Sequence, residues 1–319
     1  MVDPDDRRGG WAFRPGATET RPLDFVTQVG TPAGDSPLDL HLVFTEDGLY
    51  VPAVVRTPPG EGPFPTVVCV HGGSGGLGIS WLVDFATNRG YAFERFLEAG
   101  YAVCVTEGRM EVEEAYNLAP VEETTPPLPA VLDHEDLITT FRYLQNLRFV
   151  DENRIAFFGV SHGGEAQMKL VSELGDGPAA LVPMEPAVIE YLGLQYDGPR
   201  VESNLQFNDA LRDDQVVLDR AMARIERVAD DVPVLVGGWD DDHLQGLFHK
   251  LYELLERAGK DVRWASWDHP EHAFQWGPYR STGDVAYNGS LFEAERFYDP
   301  DEAQRDVIDT VVAFLDEHV

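Results

Sequence analysis

Three stretches of the sequence carry side chains that could perform acyl transfer together. The first is Gly159-Val160-Ser161-His162-Gly163, a G-x-S-x-G motif. Ser161 follows the apolar run Arg154-Ile155-Ala156-Phe157-Phe158 and precedes a helical pattern from Glu165 to Leu174. It would therefore sit on a sharp strand-to-helix turn, where the backbone is strained and close to both elements. Glycines at 159, 163 and 164 supply the room such a turn needs. A serine hydroxyl becomes a useful nucleophile only when a histidine takes its proton and a carboxylate orients that histidine.

The other two stretches offer those partners in the chain order serine, acid, histidine. After the apolar run Val232–Gly238 comes Trp239-Asp240-Asp241-Asp242-His243, and after Val262–Trp267 comes Asp268-His269-Pro270-Glu271-His272-Ala273-Phe274. The residues alone leave the acid among three aspartates and the base between His269 and His272. Adjacent carboxylates raise one another's pKa unless solvated, so two of the three are expected to face water. A rival reading joins Asp240, Asp241, Asp242, His243, His269 and His272 into a transition-metal site, which suits the ligand types. No close helical histidine pair supports it, and neither a metal nor a cofactor is expected. His41, His134, His249 and His318 read as ordinary strand, helix or terminal histidines.

Acyl transfer also needs donors for the oxygen on which negative charge develops, and losing one costs on the order of 3 kcal/mol. His71-Gly72-Gly73-Ser74-Gly75-Gly76 follows another apolar run, and its glycines would let backbone N–H groups turn inward. Gly72, Gly73 and Ser74, with the N–H of His162, are the candidates. The same loop fits G-x-G-x-x-G from Gly73 to Gly78, a dinucleotide fingerprint that expects an acidic residue about 20 positions on. Glu107, which ends the next strand, comes 29 residues after Gly78. Two strands already precede the loop's own strand, and a nucleotide site would leave Ser161 without a role.

These loops need a rigid frame, and the chain supplies alternating strand-like and helical stretches, the pattern of parallel strands with crossover helices. Leu38–Thr45 and Leu49–Thr57 flank Glu46-Asp47-Gly48 and read as a hairpin. Thr66–Val70, Ala102–Thr106, Arg154–Gly159, Ala179–Pro183, Val232–Gly237 and Val262–Trp267 complete eight candidate strands. Helices are predicted over Phe93–Ala99, Glu135–Leu147, Val216–Val228, Leu244–Ala258 and Asp301–Glu317, the last with Val307, Val311, Phe314 and Leu315 on one face. The prediction is one α/β domain over 1–319, an eight-stranded, mostly parallel sheet flanked by helices. Residues 1–37 read as an N-terminal extension, and 187–231 and 273–300 as lid or cap excursions.

Composition narrows the partners. Fifty-six acids oppose 24 bases, a net charge of −32, and three of the bases are lysines: Lys169, Lys250 and Lys260. Such a surface repels nucleic acid and anionic lipid, so neither is expected as a partner. It suits a protein adapted to high salt, or an arginine-favouring genome with an acidic bias. The polar start and the lack of a long apolar run predict no signal peptide, no membrane span and a cytoplasmic location. Cys69 and Cys104 lie within apolar runs and read as buried free thiols.

From about Leu49 onward the chain resembles the dienelactone hydrolase and prolyl-oligopeptidase-like branch of the α/β-hydrolases. The matching stretches are Gly62-Pro63-Phe64-Pro65-Thr66-Val67-Val68 leading to His71-Gly72-Gly73, Gly100-Tyr101-Ala102-Val103, and Val150-Asp151-Glu152-Asn153-Arg154-Ile155 leading to Gly159–Gly164. The resemblance implies Asp241 as the acid, three residues past Gly238, and His272 as the base, before Ala273-Phe274. Asp240, Asp242 and His269 stand behind them. The chain departs from the family at Thr106-Glu107-Gly108-Arg109-Met110 and lacks a propeller domain, which weakens a peptidase reading. The expected activity is hydrolysis of a carboxylic ester by a serine hydrolase, on a small-molecule ester or a short acyl or peptidyl substrate. An acylaminoacyl- or dipeptidyl-type peptidase, a lactone or thioester hydrolase and a non-catalytic binding member are the alternatives, and homo-oligomerisation stays open. Trp81, Tyr116, Trp239, Trp276 and Tyr279 are candidate substrate contacts.

Overall fold

The apolar runs become strands, and their lengths leave the turns that carry polar residues at the strand ends. The computed structural model describes residues 18–22, 38–45, 50–72, 82, 85–86, 91–108, 129–174, 177–194, 207, 209–276 and 300–319. All eight expected strands are present: β2 (Leu38–Phe44), β3 (Tyr50–Arg56), β4 (Phe64–Val70), β5 (Ala102–Thr106), β6 (Val150–Val160), β7 (Ala180–Met184), β8 (Val234–Trp239) and β9 (Val262–Trp267). A ninth, β1 (Thr18–Pro22), lies in the stretch that reads as an N-terminal extension and pairs antiparallel with β2. Its sequence, Thr-Glu-Thr-Arg-Pro, holds no apolar residue, so apolar periodicity does not reveal it. The strands are hydrogen-bonded in the order β1-β2-β3-β5-β4-β6-β7-β8-β9. β1–β2, β2–β3 and β3–β5 pair antiparallel, whereas β6–β7, β7–β8 and β8–β9 pair parallel.

The helices are α1 (Tyr91–Glu98), α2 (Pro129–Leu144), α3 (His162–Glu173), α4 (Ile189–Leu192), α5 (Leu218–Ile225), α6 (Gln245–Arg257) and α7 (Glu302–His318); six fall where periodicity predicts a helix, and the single turn α4 is too short to show a period. α1 and α6 both end on a glycine of positive φ, Gly100 at 91° and Gly259 at 71°. In each case the next two N–H groups fold back onto the last turn, Gly100 to Leu97 and Tyr101 to Phe96, Gly259 to Glu256 and Lys260 to Leu255. That left-handed closure satisfies carbonyls the helix leaves open. No helix among the described residues is long and apolar enough to cross a membrane.

Contacts group the chain into two compact units. The first holds Met1–Cys69, Ser74–Ile155 and Trp276–Asp301. Its core includes Val51, Val54, Val55, Phe93, Phe96, Val103 and Val105. Arg56, only 2% exposed, is neutralised there by Glu94 at 2.8 Å and also donates to the Ala86 carbonyl. Cys69 and Cys104 are free and buried in this unit, and burial pushes the Cys104 thiol up to about 12.

The second unit holds Val70–Gly73, Ala156–Gln275 and Glu302–Val319. β7 is buried along its whole length, and Val307, Val311, Phe314 and Leu315 of α7 are buried as their spacing predicts. The described part of the 187–231 excursion is tied down within this unit. Glu165 of α3 accepts the N–H groups of Glu190 and Tyr191 at 2.7 and 2.9 Å, while Arg224 of α5 donates to the carbonyls of the same two residues. Of the 273–300 excursion, Phe274–Trp276 forms a 3-10 turn, and 277–299 lies outside the described residues.

Candidate active site

Ser161 stands between β6 and α3 with φ 56° and ψ −119°, a conformation an L-residue adopts only under constraint. The constraint is visible in its backbone bonds. Its N–H donates to the Met184 carbonyl, and its carbonyl accepts from Gly164, Glu165 and Ala187. The neighbouring glycines are required by contact. A Cβ on Gly163 would lie 2.2 Å from the Val70 oxygen, one on Gly159 2.5 Å from the Gly163 oxygen, and one on Gly164 2.7 Å from Pro186 Cβ. α3 begins at His162, three residues earlier than its pattern suggests, so His162 N–H belongs to the first turn, whose donors have no acceptor within the helix.

Gly72 lies against Ser161. A Cβ there would sit 2.6 Å from Ser161 Cβ and 3.3 Å from Ser161 Oγ, so the absence of a side chain is what lets the loop backbone approach the hydroxyl. His71 holds this loop through a 2.8 Å bond from Nδ1 to the Gly72 carbonyl. Gly73 and Ser74, the other oxyanion candidates from this loop, lie outside the described residues, as do Trp81, Tyr116 and Tyr279.

The structure brings together Asp242 and His272. Asp242 has no exposed surface, and its Oδ2 lies 2.7 Å from His272 Nδ1. Its other oxygen accepts the Leu244 N–H at 2.7 Å and lies 3.4 Å from His243 Nδ1. Asp241, the acid implied by the family pattern, is exposed, and so is Asp240. The one-residue offset has a local cause. β8 extends through Trp239, which pairs in register with Trp267, so the turn after the strand starts one residue later than a strand closing at Gly238 would allow. The N–H of Asp242 then closes that turn onto the Trp239 carbonyl.

His269 is not placed like a base. It is buried, its ring stacks on Phe274 at 4.4 Å, and its Nδ1 accepts the Glu271 N–H. Trp276 is also a packing residue, 4% exposed with its ring against Phe85 and Phe93 in the first unit. Trp239 is half-buried at the end of β8.

One residue at this centre was not singled out from sequence. Glu185, directly after β7, has no exposed surface and φ 45°. Its Oε2 accepts the Ala273 N–H and lies 3.1 Å from His272 Nδ1; its Oε1 accepts from Trp239 N–H at 3.2 Å and Gln275 Nε2 at 3.0 Å. Position was the available signal: Met184-Glu185-Pro186 puts a charged residue at the C-terminal end of a parallel strand, where ligands gather in open α/β sheets. Burial alone would push the His272 imidazole down. The hydrogen bonds and charges of Asp242 and Glu185 outweigh that and raise it from 6.5 to about 9.

Asp242, His243 and His272 place three ligand-type atoms within 4.8 Å of one another. Ligands around a tetrahedral zinc, at about 2.0–2.2 Å from the ion, stand about 3.4 Å apart. The 2.7 Å separation of Asp242 Oδ2 and His272 Nδ1 is instead that of a charge-assisted hydrogen bond. The arrangement suits proton transfer better than metal ligation.

No family model matches the sequence, and no curated protein does. Solved structures do match the fold. Esterase Est22 superposes with a TM-score of 0.59 at 18% identity, covering 90% of this chain and 82% of that one. A fungal esterase from Rhizomucor miehei gives 0.58 at 16% identity over 93% and 88%. A protein from Klebsiella pneumoniae provisionally described as a dienelactone hydrolase gives 0.54 at 17% identity over 85% and 94%.

Proposed function

Because the chain has the α/β-hydrolase fold, with Ser161 on a strained strand-to-helix turn and His272 bonded to a buried aspartate, we propose that it is a serine hydrolase cleaving carboxylic esters. Ser161 Oγ attacks the ester carbonyl while His272 takes its proton. The tetrahedral oxyanion rests on backbone N–H groups of His162 and the Gly72-Gly73-Ser74 loop. Collapse expels the alcohol, which takes the proton from His272 and leaves Ser161 acylated. Water activated by the same imidazole then releases the acid. Asp242, not Asp241, holds the imidazole in the tautomer with Nδ1 protonated.

The single observation that carries this reading is the 2.7 Å bond between His272 and a carboxylate with no exposed surface. Removing the proton from serine leaves an imidazolium, and a buried partner in low dielectric stabilises that charge far better than a solvated one. Esters are favoured as substrates because two of the structural parallels are esterases. Two buried free thiols fit a reducing compartment, which supports work in the cytoplasm.

A fluorophosphonate probe should label the protein, with labelling lost in Ser161→Ala. Nitrophenyl acyl esters should be cleaved and aminoacyl anilides should not. Anilide cleavage would move the reading to a peptidase, and labelling that survives Ser161→Ala would remove the nucleophile.

A further inference from the structure

The buried carboxylate of Glu185 is not used in the scheme above, although it lies within reach of the base. Among the described residues, its polar contacts go to the segments that carry the acid and the base: Trp239 N–H before the aspartates, and Ala273 N–H, Gln275 Nε2 and His272 Nδ1 around the histidine. Its own N–H is tied to the Gly237 carbonyl at 2.7 Å. The chain accommodates it at some cost. Glu185 and Ala273 both have positive φ, at 45° and 62°, a conformation that strains a residue with a side chain. Gly238 is also needed, because a Cβ there would fall 2.4 Å from Glu185 Cγ. A residue whose only task was to cap Ala273 would not have to be ionisable, nor to bring its Oε2 to 3.1 Å from the imidazole.

Resting on the serine hydrolase reading, we propose that Glu185 is a positioning residue for the base: it fixes the His272 loop against β8 and shares the His272 Nδ1 proton with Asp242. The imidazole thus has two carboxylate acceptors, the nearer at 2.7 Å and the second at 3.1 Å. A histidine held from two sides keeps its ring orientation even when one acceptor is lost. Asp242 is then replaceable in part, and Glu185 is the residue that replaces it.

The test is a cycle of Asp242→Asn, Glu185→Gln and the double variant, followed by kcat/KM against pH on a nitrophenyl ester. Asp242→Asn should keep a rising limb above the ordinary histidine value of 6.5, because one carboxylate still faces Nδ1. Glu185→Gln should move the rising limb down by about one pH unit. The double variant should lose more than the product of the two single losses, the signature of two groups serving one proton. A profile for Asp242→Asn that drops to 6.5 or below overturns the proposal without requiring Glu185→Gln to fold. So does a Glu185→Gln profile that superimposes on the parent. A second readout needs no turnover: in Ser161→Ala, the low-field proton signal of the His272 ring, identified by its loss in His272→Gln, should shift on Glu185→Gln and return with Glu185→Asp. An unmoved signal reduces Glu185 to a structural strut. If instead Ser161→Ala leaves esterase activity and probe labelling intact, Ser161 is not the nucleophile and the serine hydrolase reading fails, while the proton signal still reports on the contact.

Discussion

Raising the pH should activate this protein while it weakens the fold, and His272 is the reason. Burial favours the neutral imidazole, but Asp242 at 2.7 Å and Glu185 at 3.1 Å together win and carry its pKa from 6.5 to about 9. A general base must be neutral to accept the serine proton. At pH 7 only about 1% of the protein has neutral His272, against about half at pH 9, so kcat/KM should rise roughly 50-fold between them. The same shift bears on stability with the opposite sign. A group whose folded pKa lies above its unfolded value stabilises fully below the unfolded value and loses that contribution as pH rises through the folded one. His272 therefore contributes about 3 kcal/mol below pH 6.5, and that contribution fades by pH 9. The assay is kcat/KM for a nitrophenyl acetate from pH 6 to 10.5 at constant ionic strength, with denaturant melts at the same pH values. A rate plateau already reached at pH 7 would refute the reasoning, because it would mean that burial outweighs the two carboxylates.

Asp241→Asn should leave kcat/KM within about twofold of the parent, since that carboxylate is exposed, whereas Asp242→Asn should cut it by at least tenfold. His269→Ala should retain activity that His272→Ala loses; survival of activity in the second variant would overturn the assignment of the base. Gly72→Ala forces a Cβ to 2.6 Å from Ser161 Cβ, and displacing the nucleophile should cost about 10²-fold in kcat with the fold intact by circular dichroism. Gly163→Ala meets the Val70 oxygen at 2.2 Å and should instead lose about 3 kcal/mol of stability in a denaturant melt. With a net charge of −32, the melting temperature should climb many degrees between low and molar salt if the surface is salt-adapted, and a flat response would discard that origin for the acidity.

The frame was readable in the sequence because its signals are local. Eight apolar runs fall where strands form, and helix ends such as Gly100 and Gly259 announce themselves by a residue type that closes a helix in the left-handed conformation. The strand β1 was not readable, since Thr-Glu-Thr-Arg-Pro carries no apolar pattern and is placed by its ladder with β2. Trp276 shows the same limit from the other side. A tryptophan beside a candidate base reads equally well as a substrate contact or as core, and only the packing of Phe85 and Phe93 decides for core.

At the candidate site, the sequence narrows the acid to a run of three aspartates and goes no further. Asp240, Asp241 and Asp242 are chemically identical neighbours, and what separates them is where β8 stops. One more residue in the ladder turns the run so that Asp242 points inward, its backbone N–H closing on Trp239 and its carboxylate meeting both Leu244 N–H and His272. Glu185 lies 88 residues from the backbone N–H it caps at Ala273, so no spacing rule connects them. The link is made by the parallel ladder, which brings the ends of β7, β8 and β9 side by side. Each of those ends delivers one group to the same imidazole or its loop: Glu185 after β7, Asp242 after β8 and His272 after β9. A histidine reached from two adjacent strand ends cannot relax toward either carboxylate without lengthening its contact to the other, and that geometry holds the ring in one orientation.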